Sequence, residues 1–368
     1  MKIALVHDHL AQDGGAEKVL QAFCEIWPEA PIFVVVHNPK NANPFFKHKD
    51  IRTSFIQRLP FGVKKYQWFF PLMPTAVESY DLSDYDVILS SSSMFAKGVI
   101  IRPEAVHITY CHTPTRFLWS DTHSYVDELG VSGLMKRVVQ IFLSRVRTWD
   151  RVAAERADYY IANSQLVQKR IQKYYHRNST VIYPPVQASR FTTVPKEKVD
   201  KYFLAGGRIV PYKKFDLLVD VFNTIGKPLK IFGDGPARVA LQKKARPNIE
   251  FVGRASDEKL QELYAHCAAF LNPQEEDFGI TMIEAMAAGR PVIAYNKGGA
   301  EEIVEHGKTG LLLDYQAWED FADALIDFDP QAFDPAYIRQ RALTFDQTQF
   351  KKKIQAFVTE KLKELKIK

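Results

Sequence analysis

The sequence predicts an α/β chain of two parallel-sheet domains, each winding alternately through strands and helices. Three observations carry this. Four short apolar runs, residues 2–7, 202–206, 229–232 and 268–271, each lead through a tight loop into a helical stretch. The 368 residues are long for one domain and natural for two. Pro184-Pro185 and the polar residues that follow, up to Val199, read as a linker between the halves. The expected division is a first domain over 1–190, a second over 200–345 and a closing helix over 346–368.

Composition narrows the class. Hydrophobic residues make up 46% and charged residues 25%, ordinary for a globular protein. Three scattered cysteines, Cys24, Cys111 and Cys267, argue against a disulfide framework and for a reducing compartment. Residues 2–7 read as a strand, not as the apolar leader of a secreted protein, and no apolar run nears the ~20 residues of a membrane span. A soluble, cytoplasmic or membrane-peripheral protein is expected. The net charge of +6 suits an anionic ligand or lipid surface, and no nucleic-acid-binding motif is present.

In the first half, residues 2–7 form a strand, residues 7–13 a loop, and Gly14-Gly15 open a helix running toward Ile26. Glycine at both positions lets backbone approach a phosphate or sugar, or simply makes a tight turn. His7 and His9 alternate across a strand end, so their sharing one metal ion is not expected. Residues 31–36 form a second strand, and residues 38–49 a polar loop. Residues 58–74 interleave basic residues with large aromatics, either a membrane-resting patch or aromatic packing between helices. Strands follow at 86–90 and 106–110. The second runs into Cys111-His112-Thr113-Pro114, with Arg116 and Trp119 beyond. A His and an Arg beyond a strand's carboxyl end stand where open α/β sheets put their ligands. Residues 134–157 form an amphipathic surface helix, residues 159–162 a strand, and Asn163-Ser164 cap the next helix.

The second half opens with residues 202–214, a strand, two glycines, then Arg208, Lys213 and Lys214 before a helix. Two cations five apart in a turn can grip a diphosphate from two sides. Cations at a helix start oppose the macrodipole, which argues mildly for function. Lys214 rivals Lys213 for the second position. Gly233-Asp234-Gly235 lacks the third glycine of a dinucleotide fingerprint, because Arg238 stands there. Residues 248–254 form the next strand and turn.

Residues 272–289 are the centre of the chain: N-P-Q-E-E-D-F-G-I-T-M-I-E-A-M-A-A-G. A loop opens a helix near Phe278, and a helix start binds anions through its free N–H groups. Ile280, Ile283 and Ala287 are expected to face the sheet. Gly289 fits a left-handed stop, and Pro291 forbids continuation. Glu276 just before the helix could serve its dipole. Glu284, mid-helix among apolar residues, has no such explanation.

Glu276, seven residues and Glu284, followed by E-A-M-A-A-G-x-P-V-I, resemble the EX7E signature of retaining glycosyltransferases of family 4. The resemblance covers nearly the whole chain and implies a GT-B fold, two Rossmann-like domains facing across a cleft. It implies that Glu276 and the amides of Phe278, Gly279 and Ile280 hold the donor sugar and phosphate, and that Glu284 binds the ribose. The stretch 206–213 resembles the family's G-R-L-x-x-x-K element, giving Arg208 and Lys213 the donor diphosphate. Gly14 and Gly15 resemble its N-terminal glycine loop, and Val252 and Arg254 would contact the base. The C-H-T-P-x-R-x-x-W segment resembles that of WbaZ-type mannosyltransferases, which places His112 beside the transferred sugar. Arg116 could hold an acceptor phosphate. The implied donor is GDP-mannose, with UDP-sugars open. The implied acceptor is a polyprenyl-diphosphate-linked glycan at the cytoplasmic face of the inner membrane. No cofactor or metal is expected. A transferase for a small soluble acceptor and a catalytically inactive nucleotide-sugar-binding scaffold are the alternatives.

Overall fold

The computed structural model describes residues 1–122, 126 and 132–366, and the chain divides into two units. The first comprises Met1–Pro184 and Phe350–Lys368, the second Pro185–Gln349.

The first unit runs β1 (Ile3–His7), α1 (Gly15–Ile26), β2 (Ile32–Val34), β3 (Ile51–Thr53), α2 (Met73–Glu78), β4 (Val87–Ser92), β5 (Val106–Cys111), α3 (Gly133–Ala153), β6 (Tyr159–Ala162), α4 (Gln165–Tyr175) and β7 (Ser179–Val181). Its strands pair in the order β3-β2-β1-β4-β5-β6-β7, all parallel. β1, β4 and β5 are buried at every position. That is why they read as unbroken apolar or small-residue runs: a parallel sheet is covered on both faces. One face packs Leu5, Val34, Leu89 and Ile108 against Phe23 of α1. The other packs Ala4, Val6 and Ile88 against Leu143 and Val146 of α3.

The second unit runs β8 (Phe203–Gly206), α5 (Phe215–Ile225), β9 (Leu229–Phe232), α6 (Arg238–Lys244), β10 (Ile249–Gly253), α7 (Asp257–His266), β11 (Phe270–Asn272), α8 (Ile280–Ala287), β12 (Val292–Tyr295), α9 (Gly299–Ile303), β13 (Gly310–Leu313), α10 (Trp318–Ile326) and α11 (Pro335–Leu343). Its strands pair in the order β10-β9-β8-β11-β12-β13, again all parallel. Both units are therefore Rossmann-like. Each strand order reverses once, between β1 and β4 and between β8 and β11, the points where such sheets accept ligands. The last helix, α12 (Gln347–Lys366), adds Phe350, Ile354, Phe357 and Val358 to the first unit's core. There Phe350 stacks on Phe23 at 5.9 Å.

Some expectations need correction. Residues 185–199 are not a free linker but part of the second unit. Val186 donates its N–H to Phe345 and accepts one from Gln347, so backbone pairing fastens the segment there. β3 and β7 escaped the sequence reading because each has three residues, largely or partly exposed. The aromatics of 58–74 divide between the two readings offered for them. Phe70 packs edge-on against Phe95, Phe117 and Phe142, whereas Phe61 and Trp68 are 63% and 66% exposed. Among the described residues, no helix is long and apolar enough to cross a membrane.

Candidate functional site

In the second unit, the loops after β8 and β11 meet at the strand-order reversal. Glycines set the β8 loop. Gly207 has φ +124°, and a Cβ at Gly233 would lie 1.9 Å from the Gly207 carbonyl oxygen. A Cβ at Gly235 would lie 2.2 Å from that of Ile209. The loops after β8 and β9 thus mesh backbone on backbone, with Gly233 donating to the Gly253 carbonyl at the end of β10. This is why Gly233-Asp234-Gly235 looks like an incomplete dinucleotide motif: its glycines make room for a neighbouring loop.

The β8 loop ends in a single 3-10 turn, Pro211–Lys213, where the two lysines are placed differently. Lys213 is partly buried, and its Nζ lies 2.9 Å from Glu276 Oε1. Lys214 is exposed, takes φ +54° and serves as the N-cap of α5. Arg208 is exposed on the same loop. Glu276 also accepts from Gln274 Nε2 at 2.9 Å, and Asn272 Oδ1 accepts from that same nitrogen.

Two glycines fix the β11 loop. Gly279 caps α8 with φ +107°, a conformation costly for any residue with a Cβ. A Cβ at Gly299 would sit 1.8 Å from the Phe278 carbonyl oxygen, and Gly299 donates to the Glu276 carbonyl. Phe278 is buried against Phe345. Ile280 was expected to face the sheet. As the first residue of α8 it is instead partly exposed, while Met282, Ile283, Ala285, Met286 and Ala287 are buried. The helix start, Gly279 and Ile280, is thereby partly exposed. Glu284 accepts from Tyr264 Oη at 3.0 Å.

Lys213 and Glu276 thus meet across the two loops, with Arg208 on the loop after β8 and the Phe278–Gly279–Ile280 backbone on the loop after β11. Val252 and Arg254 lie at the end of the edge strand β10. The pairing register shifts between Phe251 and Gly253, so Val252 is bulged out of the ladder. Arg254 is 87% exposed, with Asp234 as its nearest carboxylate at 3.9 Å.

In the first unit, the reversal lies between β1 and β4. Asp8, just past β1, accepts backbone N–H groups from Ser93, Met94, Phe95 and Ala96 at 2.6–3.0 Å. Burial opposes its ionisation, but the charge of His7 and these N–H bonds outweigh it and hold the carboxyl below the usual range. His7 Nδ1 lies 3.1 Å from Ser91 Oγ, and Ser91 Oγ lies 2.8 Å from His112 Nε2. On its other side, His7 Nε2 is 3.7 Å from Glu17 Oε1. A chain of polar contacts therefore runs from His112 through Ser91 and His7 to Glu17. Burial first, then the charge of His7, pushes His112 down to about 4, so its ring is neutral at pH 7.

Gly14 and Gly15 stand at the start of α1. Gly14 is extended, with φ −160°, so its conformation does not demand glycine. Its lack of a side chain matters for space, because a Cβ would come within 3.1 Å of Glu17 Oε2. Gly15 is exposed. Arg116 is held by Asp121 at 2.7 Å, so its guanidinium already has a carboxylate partner. The loop 113–119 rests on a buried centre that the sequence did not reveal. Asp150 of α3 pairs with Lys97 at 2.6 Å and accepts from Thr115, Trp119 and Tyr175. The signal was available: Asp150 falls on the apolar stripe of Leu143, Val146 and Ala153. Asp8 and Glu17 were also missed. An acid at a strand end and one in a helix's first turn look like ordinary solvated residues in sequence. Among the described residues, no group of His, Cys, Asp and Glu is arranged to hold a metal ion.

The chain matches the family model described as Glycosyltransferase Family 4 over residues 13–190, and the one described as Glycosyl transferases group 1 over residues 187–332. It is 33% identical over 172 residues to a GDP-mannose-dependent alpha-(1-6)-phosphatidylinositol monomannoside mannosyltransferase of Mycobacterium tuberculosis, covering 39% of this chain and 45% of that protein. It is 26% identical over 296 residues to the alpha-1,3/1,6-mannosyltransferase ALG2 of Dictyostelium discoideum, covering 67% of this chain and 66% of that protein. The chain thus spans about half to two thirds of the length of these curated relatives. Among solved structures, Anabaena Alr3699/HepE in complex with UDP and glucose aligns with a TM-score of 0.73 at 21% identity, over 98% of this chain and 99% of that one. At that identity the likeness shows the fold.

Proposed function

The chain belongs to the family 4 glycosyltransferases, and on that premise we propose that it transfers mannose from GDP-mannose, with retention of anomeric configuration, to a lipid-linked oligosaccharide in cell-surface polysaccharide assembly. The observation that carries this reading is the Lys213–Glu276 pair, which joins the loop that carries Arg208 to the loop that opens α8. Breaking a nucleotide diphosphate–sugar bond leaves negative charge on the departing diphosphate and positive charge on the sugar carbon. Preorganised cations and N–H groups favour the first, and a carboxylate held beside them favours the second. Arg208, Lys213 and the Phe278–Ile280 amides take the diphosphate. Glu276 and His112 position the sugar, and Gly14 and Gly15 give it backbone room. Glu284 accepts ribose hydroxyls, Val252 and Arg254 border the base, and Arg116 faces the acceptor phosphate. The cations meet the diphosphate charge, so metal independence is part of the proposal. No side chain here is assigned as a nucleophile. The acceptor attacks the face that the diphosphate leaves, and the leaving phosphate receives its proton.

Mannose is supported by the mannosyltransferases among the relatives. A lipid-linked acceptor is supported by the exposed Phe61 and Trp68, with Lys65 Nζ 3.8 Å over the Trp68 ring. Basic residues among exposed aromatics suit the cytoplasmic surface of a membrane. Proton NMR of the product tests the stereochemistry. GDP-α-mannose should yield an α-mannoside, and a β-mannoside would overturn retention.

A further inference from the structure

A relay of two buried amides ties the Glu276 carboxylate to the end of β11. Asn272 is the last residue of that strand and pairs in register with Ala294 of β12. Its Nδ2 donates to the Gln274 carbonyl at 3.1 Å, and its Oδ1 accepts from Gln274 Nε2 at 2.9 Å. Gln274 Nε2 also donates to Glu276 Oε1, at 2.9 Å. Asn272 and Gln274 are 1% and 2% exposed. The loop backbone is held from both sides. Gln316 Nε2 donates to the Pro273 carbonyl at 2.7 Å, and Gly299 donates its N–H to the Glu276 carbonyl at 2.9 Å.

The chemistry of these groups fixes which way each amide faces. Turned over, Gln274 would set its Oε1 against Asn272 Oδ1 and Glu276 Oε1, three acceptors with no proton among them. Asn272 cannot turn over either, because its nitrogen serves the Gln274 carbonyl. One arrangement remains, and it aims an N–H at Glu276. Lys213 Nζ reaches the same Oε1 at 2.9 Å. Among the described residues, the side-chain bonds of Glu276 thus end on Oε1, and Oε2 is the oxygen left to accept from a ligand. Gln274 Oε1, by contrast, is buried with no partner among the described residues. A side chain selected for packing alone would not leave an acceptor stranded there. A second cation in place of Gln274 would neutralise the carboxylate, whereas a neutral donor orients it and leaves its charge for a sugar.

We propose that Gln274 is a positioning residue for the donor's sugar: its bond to Oε1 fixes the Glu276 carboxylate so that Oε2 meets a sugar hydroxyl. Asn272 passes the rigidity of β11 to that bond. The proposal rests on the glycosyltransferase reading above. Gln274 is buried and acts on the sugar only through Glu276, so it should distinguish a nucleotide sugar from the bare nucleotide.

Titration calorimetry on the full chain tests this with two pairs of ligands, GDP with GDP-mannose and UDP with UDP-glucose, read on whichever pair binds the wild-type protein. Gln274→Met nearly keeps the volume and removes both N–H groups. It should weaken the nucleotide sugar about fivefold or more, the worth of one hydrogen bond, and leave the bare nucleotide within about twofold. In a Glu276→Ala background the same change should add nothing, because both act through one carboxylate. Gln274→Asn keeps the amide but shortens its reach by one carbon. It too should weaken the nucleotide sugar, and it decides the matter if the methionine variant does not fold. Unchanged nucleotide-sugar affinity, equal weakening of sugar and bare nucleotide, or an undiminished effect without Glu276 overturns the positioning role. Absence of nucleotide binding in the wild-type protein instead overturns the transferase reading itself.

Discussion

Lys213→Ala is expected to lower kcat by a factor of ~10²–10³, the usual cost of removing one preorganised group that stabilises departing charge. Lys213 is the partly buried cation of its loop and is held 2.9 Å from Glu276, so its ammonium is positioned before any ligand arrives. The loss should fall on kcat more than on KM, because the charge that Lys213 meets grows as the bond breaks. Lys214→Ala is the control. That side chain is exposed at a helix cap, and such surface changes usually stay within about 0.5 kcal/mol. Steady-state kinetics on both variants checks the assignment. Equal losses, or a larger loss in Lys214→Ala, would move the diphosphate-binding role to the other lysine. Because Lys213 and Glu276 touch, their single and double variants should be non-additive.

Asp150→Ala is expected to destabilise the first unit by about 3–5 kcal/mol, the cost of leaving a buried charge without its partner. Lys97 and Asp150 are each about 1% exposed. Lys97 also donates to the Met94 carbonyl, and Thr115, Trp119 and Tyr175 all converge on the one carboxylate. Removing it frees the loop after β5 that carries His112 and Arg116. Replacing both Lys97 and Asp150 with apolar residues of similar size should recover part of the loss, because it removes the stranded charge. Urea denaturation of the variants measures both effects. A cost below about 1 kcal/mol for Asp150→Ala would show that the cluster does not hold this loop, since losses of that size are typical of any substitution.

The contrast between what the sequence disclosed and what it hid follows from physics. Parallel strands buried on both faces, such as β1 and β5, appear as uninterrupted apolar stretches. Edge strands such as β3 carry exposed side chains and leave no such trace. Glu284 stood out in the sequence as an acid inside an apolar helix, but its buried partner Tyr264, twenty residues earlier, did not. The different placement of Lys213 and Lys214 was not visible, since it depends on a left-handed backbone at the second lysine. The glycines at 233 and 235 were legible as a turn, but their reason, a neighbouring loop within 2.2 Å of any added Cβ, exists only in three dimensions. Buried partners far apart in sequence, such as Lys97 with Asp150 and Ser91 with His112, are likewise invisible in a linear reading.

The central claim is that the second unit binds a nucleotide sugar through Arg208, Lys213 and the start of α8. Thermal unfolding against GDP, UDP, ADP, GDP-mannose, UDP-glucose and UDP-N-acetylglucosamine tests it most directly. A ligand at a hundredfold over its dissociation constant stabilises by ~2.7 kcal/mol, a shift easily read in a melting curve. The account predicts stabilisation by GDP and GDP-mannose that is lost in Arg208→Ala. A response to UDP compounds alone would keep the site and discard mannose, and a response to no nucleotide would contradict the account.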